Sequence, residues 1–110
     1  VIVSSKAVRA SDTAQLLAEQ LHLDESVIHP HDTLYNISMG GLIRLVNDLP
    51  DEWEFPALVG HNPTLSYFVE YLTNTNGFYL EPCAAVVVEL DVAQWAEVTE
   101  NSGQVVWRRG

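Results

Sequence analysis

Ala57-Leu58-Val59-Gly60-His61-Asn62-Pro63 changes character halfway along, from a continuous apolar run to a polar turn. The first four residues suit a short strand buried on both faces. The last three close that strand and open a helix: Asn62 is a favoured N-cap and Pro63 suits the first helical position. Beyond them Leu65, Phe68, Val69 and Leu72 fall at i, i+3, i+4 and i+7, the stripe of an amphipathic helix. Strand, polar turn and helix in this order make one unit of an α/β fold, with His61 at its turn.

The same order occurs at the start of the chain. Val1-Ile2-Val3 is β-branched and continuous, Ser4-Ser5 is expected to end it, and Ala14, Leu17, Ala18 and Leu21 give the following helix one apolar face, with Asp12, Glu19 and Gln20 off it. Val27 to His29 is a short second strand. The segment Asp32 to Gly41 contains Gly40-Gly41 and little periodicity, and reads as a loop. A helix is expected from about Leu42, with Leu42, Ile43, Leu45, Val46 and Leu49 on a broad apolar face, until Pro50 stops it. Downstream of the central unit, Asn74 to Gly77 is a turn, Cys83 to Leu90 a strand, Ala93 to Val98 a short helical piece and Gln104 to Trp107 a last strand. Alternating strands and helices predict one α/β domain over residues 1–110, built on an open, mostly parallel sheet with helices on its faces. There is no internal repeat and no low-complexity segment.

Of 110 residues, 47% are hydrophobic and 18% charged, a globular and not a disordered composition. Fifteen acidic against five basic residues give a formal charge of −10, which argues against nucleic acid or an anionic membrane surface as partner. Cys83 is the single cysteine, so no intrachain disulfide and no cysteine zinc cluster can form. The apolar runs are too short for a membrane span and no signal core opens the chain, so the expected setting is cytoplasmic.

Open α/β sheets bind ligands beyond the carboxyl ends of their strands. Two strand–helix junctions carry polar groups there: Ser4, Ser5, Lys6 and Arg9 at the first, and His61 with the amides of the helix from Pro63 at the second. Amides at a helix start favour an anion and a guanidinium matches phosphate oxygens, so together these groups suit a phosphate site. Each also has a plainer role: Arg9 in a surface ion pair, His61 as a polar cap.

Ser4-Ser5-Lys6-Ala7-Val8-Arg9-Ala10-Ser11-Asp12-Thr13-Ala14 resembles the S-S-x-x-x-R-A-x-x-T-A segment of the histidine phosphatase superfamily, also called the phosphoglycerate mutase-like family. Val59-Gly60-His61-Asn62-Pro63 resembles its second signature, a Gly-His turn at a strand end. The end of the chain, Glu89-Leu90-Asp91-Val92-Ala93-Gln94-Trp95 and Ser102-Gly103-Gln104-Val105-Val106-Trp107, is similar to that of the small SixA-type phosphohistidine phosphatases. The resemblance implies a three-layer αβα fold whose mostly parallel sheet has one antiparallel strand. It also implies a phosphatase working through a phosphohistidine enzyme intermediate, on a phosphorylated protein or a small phosphate ester. Arg9 and His61 are then catalytic and phosphate-binding, His61 acting on the phosphoryl oxygens as charge builds. Ser5 and the Asn62 backbone are further phosphate contacts. No metal and no cofactor is implied.

The chain departs from that pattern in two places. The family's nucleophilic histidine lies in an Arg-His-Gly or Arg-His-Ala motif on its first strand, and neither tripeptide occurs here. The expectation is a C-terminal portion of a longer enzyme, without that strand and helix and inactive alone. The rival is a non-catalytic domain that binds phosphate or a phosphoprotein. Many members also place a glutamate proton donor where this chain has Leu34-Tyr35-Asn36. An amide cannot protonate an alkoxide leaving group, whereas phosphohistidine leaves as an imidazole already protonated on its other nitrogen, so Asn36 favours a phosphoramidate substrate. Elsewhere, His29 and His31 face the same way on an extended segment and with Asp32 are a weak zinc pattern, for which a solvated strand exit is the better account. His22 suits a helix C-terminus as a favourable charge, Arg44 lies beside an apolar stripe, and the three tryptophans and four tyrosines are scattered as packing residues.

Overall fold

In a computed structural model, which describes residues 1–31, 34 and 37–110, the first strand outlasts its apolar residues. β1 is Ile2–Ser5, with Ser4 and Ser5 inside it and as buried as Ile2 and Val3. Buried hydroxyls need partners. Ser4 Oγ donates to the Ser5 carbonyl at 2.8 Å, and Ser5 Oγ accepts the Ala7 N–H at 3.2 Å.

The chain divides into two compact units, each made of two separate stretches. The first, Val1–Ile37 with Glu52–His61, contains β1, the helix α1 (Val8–Gln20), and the strands β2 (Ile28–His31) and β3 (Ala57–Val59). All three strands are parallel, in the order β2-β1-β3. Parallel neighbours need a crossover, and α1 supplies the one from β1 to β2. Ala14 and Ala18 of α1 lie against Ile2, with Leu17, Val27, Ile28, Ala57 and Val59 around them. Small side chains on that face let the helix sit close to the sheet. Leu21, expected on the stripe, is exposed, because the helix ends at Gln20. β2 starts one residue later than its β-branched pair suggests, since Val27 belongs to a 3-10 turn, Glu25–Val27. Asp24 caps that turn by accepting the Ser26 N–H at 2.8 Å, which holds its carboxyl below the ordinary range. Pro30, which has no N–H to give, is tolerated because β2 is an edge strand.

The second unit is Ser38–Asp51 with Asn62–Gly110. Its helix α2 (Met39–Asn47) begins three residues before Leu42, because Ser38 Oγ accepts the Gly41 N–H at 3.0 Å and caps a turn that includes Gly40 and Gly41. It ends before Pro50, as expected, with Leu42 and Val46 buried. Helix α3 (Thr64–Thr73) buries Phe68, Val69 and Leu72 of the expected stripe, and also Ser66. The strands β4 (Ala85–Leu90) and β5 (Gly103–Arg109) pair antiparallel, with an irregularity between Val87 and Val88. Asn47 ties α2 to the 3-10 turn Trp95–Glu97, donating to the carbonyls of Trp95 at 2.8 Å and Val98 at 2.9 Å. No helix among the described residues is long and apolar enough to cross a membrane.

Candidate functional site

The chain leaves β1 to form β2 on one side, then returns to add β3 on the other, so the order reverses between β1 and β3. Such a switch point opens a crevice at the carboxyl ends of the strands. Ser5 is the last residue of β1, and His61 follows β3 after Gly60. The register, Ser4 opposite Val59, puts the two strand ends level. His61 Nε2 and Ser5 Oγ are 2.8 Å apart. Ser5 is buried, at 1% exposure, and His61 is half-buried. Two residues picked from separate strand–helix junctions therefore touch.

α1 starts directly beyond this pair. Its N-cap, Ala7, has no side chain to satisfy the first-turn amides, and no acidic residue stands in that turn. The Ala7 N–H goes to Ser5 Oγ, while the amides of Val8, Arg9 and Ala10 open the helix without helical acceptors. These groups carry the positive end of the helix dipole. Arg9 lies in the same turn and is exposed, its carbonyl accepting from Thr13 Oγ1 at 2.9 Å. No hydrogen bond joins its guanidinium to Ser5 or His61. An imidazole, a hydroxyl, a helix start and an arginine with Lys6 beside it are a local reversal of the charge of an acidic chain. Chemically, the arrangement can receive an oxyanion.

Asn62 belongs to the second unit, and its side chain is engaged there. Its Oδ1 accepts from Ser66 Oγ at 2.7 Å and from the Ser66 N–H at 3.3 Å, and its Nδ2 donates to the Leu80 carbonyl. Ser66 Oγ in turn accepts the Leu80 N–H at 2.9 Å. The expected cap is displaced by one residue: Pro63 is the N-cap and not the first helical residue, the Asn62–Pro63 peptide is cis, and Asn62, two residues before Thr64, reaches the helix through Ser66. Ser66 was not singled out by sequence; a serine four residues after an asparagine at a helix start is the signal that the two can bond.

Among the described residues no group of three or more His, Cys, Asp or Glu side chains could hold a metal. His29 is exposed and packs on Trp53, ring centroids 4.8 Å apart. Asp32, Tyr35 and Asn36, which the zinc pattern and the proton-donor comparison invoke, lie outside the described residues. His22 is exposed just after α1 with φ 57°, and Arg44 is exposed in the last turn of α2, where its charge suits the helix carboxyl end.

No protein-family model and no curated protein matches the chain in sequence. Two solved structures match it in fold. One, described as a candidate phosphohistidine phosphatase SixA from Nakamurella multipartitia, superposes with a TM-score of 0.79 at 18% identity, over 99% of this chain and 69% of that one. The other, a protein histidine phosphatase SixA complexed with tungstate, gives 0.73 at 21% identity, over 97% of this chain and 65% of that one. The α/β architecture with its parallel strands and antiparallel pair is therefore the SixA-type, phosphoglycerate mutase-like fold that the two strand-end motifs resemble.

Proposed function

We propose that the chain provides the phosphoryl-binding half of a phosphohistidine phosphatase site of the histidine phosphatase kind. The observation that carries this reading is the 2.8 Å approach of His61 Nε2 to Ser5 Oγ at the switch point, one turn of backbone from Arg9 and the uncapped start of α1. In this reading Arg9 takes two phosphoryl oxygens in its planar fork, the α1 amides take another, and His61 supplies a hydrogen bond that strengthens as negative charge grows. A fold neighbour solved with tungstate, a tetrahedral oxyanion, supports an oxyanion as ligand.

A phosphoenzyme of this kind needs a nucleophilic imidazole in an Arg-His-Gly or Arg-His-Ala setting, which the 110 residues do not contain. The chain then binds the phosphoryl group without turning it over alone. The substrate class is a phosphoramidate, on the strength of Asn36, and its source is a phosphorylated protein. The setting is cytoplasmic and the chemistry independent of metal.

Titration calorimetry with inorganic phosphate and with tungstate tests the reading. One saturable site is expected, weakened by about 10- to 100-fold in Arg9→Ala and in His61→Ala, as losing a charge-assisted bond of roughly 1.5–3 kcal/mol requires. Binding indifferent to both substitutions would overturn it. Phosphate release from phosphohistidine or 4-nitrophenyl phosphate by the 110-residue chain should be absent, and His61-dependent release would refute the division of labour. The missing nucleophile motif equally favours a domain that only binds phosphate. Joining an Arg-His-Gly segment to the chain separates the two, since turnover of phosphohistidine ahead of the monoester is expected only of the enzyme.

A further inference from the structure

The Ser5 hydroxyl has two hydrogen-bond neighbours among the described residues. One is the Ala7 N–H, 3.2 Å away, which can only donate. The other is His61 Nε2, 2.8 Å away, which donates or accepts according to where the imidazole proton sits. A hydroxyl brings one proton and two lone pairs. If Nε2 carried the proton and donated it, both lone pairs would be filled and the Ser5 proton would have no acceptor. Ser5 is buried, at 1% exposure, so a hydroxyl proton left without an acceptor there costs a hydrogen bond. The inventory closes only when Ser5 donates to Nε2.

We propose that Ser5 is a positioning residue: it accepts the Ala7 N–H, donates its own proton to Nε2 of His61, and so keeps the neutral imidazole protonated on Nδ1. The direction of the chain is self-reinforcing, since an N–H donated into a hydroxyl polarises its proton toward the next acceptor. It also links two segments that sequence places far apart. The first-turn backbone of α1, which presents amides to an anion, sets the orientation of the histidine at the end of β3 through one oxygen atom. Ser5 then has its proton and one of its two lone pairs committed within the protein, and no proton left to give a ligand. It acts on a bound oxyanion through His61 and does not touch it.

This inference deepens the phosphoryl-binding reading and rests on it for its functional meaning, but the tautomer can be measured without any ligand. Long-range proton–nitrogen NMR correlation on the ¹⁵N-labelled chain, with His61 assigned by His61→Gln, reads the protonation of each ring nitrogen at a pH where the ring is neutral. The expected pattern is a protonated Nδ1 and a bare Nε2 for His61. Ser5→Ala should release the ring toward the Nε2-protonated form that free imidazole side chains prefer, and Ser5→Thr, which keeps a hydroxyl, should restore the Nδ1-protonated form. A protonated Nε2 in the unsubstituted chain overturns the proposal without recourse to any variant, as does a pattern indifferent to Ser5→Ala in a chain that stays folded.

Phosphate titration run on the same samples keeps the two readings apart. Weakened binding in Ser5→Ala with a changed tautomer, against weakened binding in Arg9→Ala with an unchanged one, supports both. A tautomer set by Ser5 in a chain that binds no phosphate sustains the positioning role and removes the phosphoryl site. Phosphate bound by a chain whose tautomer ignores Ser5 does the reverse.

Discussion

Asn62 engages both ends of its carboxamide: Oδ1 takes two hydrogen bonds from Ser66 and Nδ2 gives one to Leu80. Truncating it leaves the proton of the buried Ser66 hydroxyl without its acceptor and the Leu80 carbonyl without this donor. Asn62→Ala is therefore expected to lower stability by about 1–3 kcal/mol, the penalty for orphaning buried polar groups, visible as a lower urea midpoint. An unchanged midpoint would mean that water replaces the carboxamide. That a helix begins just after Asn62 was legible, because asparagine before proline and an apolar stripe has a local meaning, although the cap position falls on Pro63 and not on Asn62. That its other end reaches Leu80 was not, since nothing local relates the two positions. The same division holds for His61 and Ser5. Each was marked by its own strand–helix junction, while their contact, and the orientation it imposes, exists only once β1 and β3 lie side by side.

Element boundaries followed hydroxyls more than apolar runs. β1 continues through Ser4 and Ser5, whose hydroxyls bond within the strand end, and α2 starts at Met39 because Ser38 caps it, although Gly40-Gly41 suggested a loop. Apolar periodicity located the cores of the helices well, since Ala14, Ala18, Leu42, Val46, Phe68 and Leu72 are all buried. It could not see a serine side chain stand in for backbone. The β4–β5 pair contains a position where side-chain volume itself is excluded. A Cβ on Gly103 would lie 2.7 Å from the Glu89 carbonyl oxygen and 2.8 Å from Leu90 Cδ2, and a carbonyl within a ladder cannot swing aside. Gly103→Ala should cost on the order of 1–3 kcal/mol, the range for forcing extra atoms into packed space. A thermal transition at the unsubstituted temperature would show that the pair yields there.

The two units share the chain in alternation, first, second, first, second, so no cut in the sequence separates them. The sheet of the first unit takes β1 and β2 from its opening residues but β3 only from residues 57–59. A fragment of residues 1–56 has the helix and two strands of that unit without the strand that carries His61 across to Ser5. Two parallel strands and a helix bury too little for cooperative stability. Such a fragment is expected to melt without a sigmoidal transition by circular dichroism, and a sharp transition would show that β3 is dispensable.

β1 is central in its sheet although it precedes both of the strands it pairs with, and this has a consequence during synthesis. As the polypeptide emerges from the ribosome, α1 and β2 can join β1 at once, but its other edge has to wait until Ala57, the partner of Ile2, is outside the exit tunnel. For that interval a nascent chain presents a bare, apolar strand edge to whatever is nearby, another nascent chain included. The acidic residues that fill the wait, Asp48, Asp51, Glu52 and Glu54, give the half-made chain a charge that discourages such encounters until the sheet is complete.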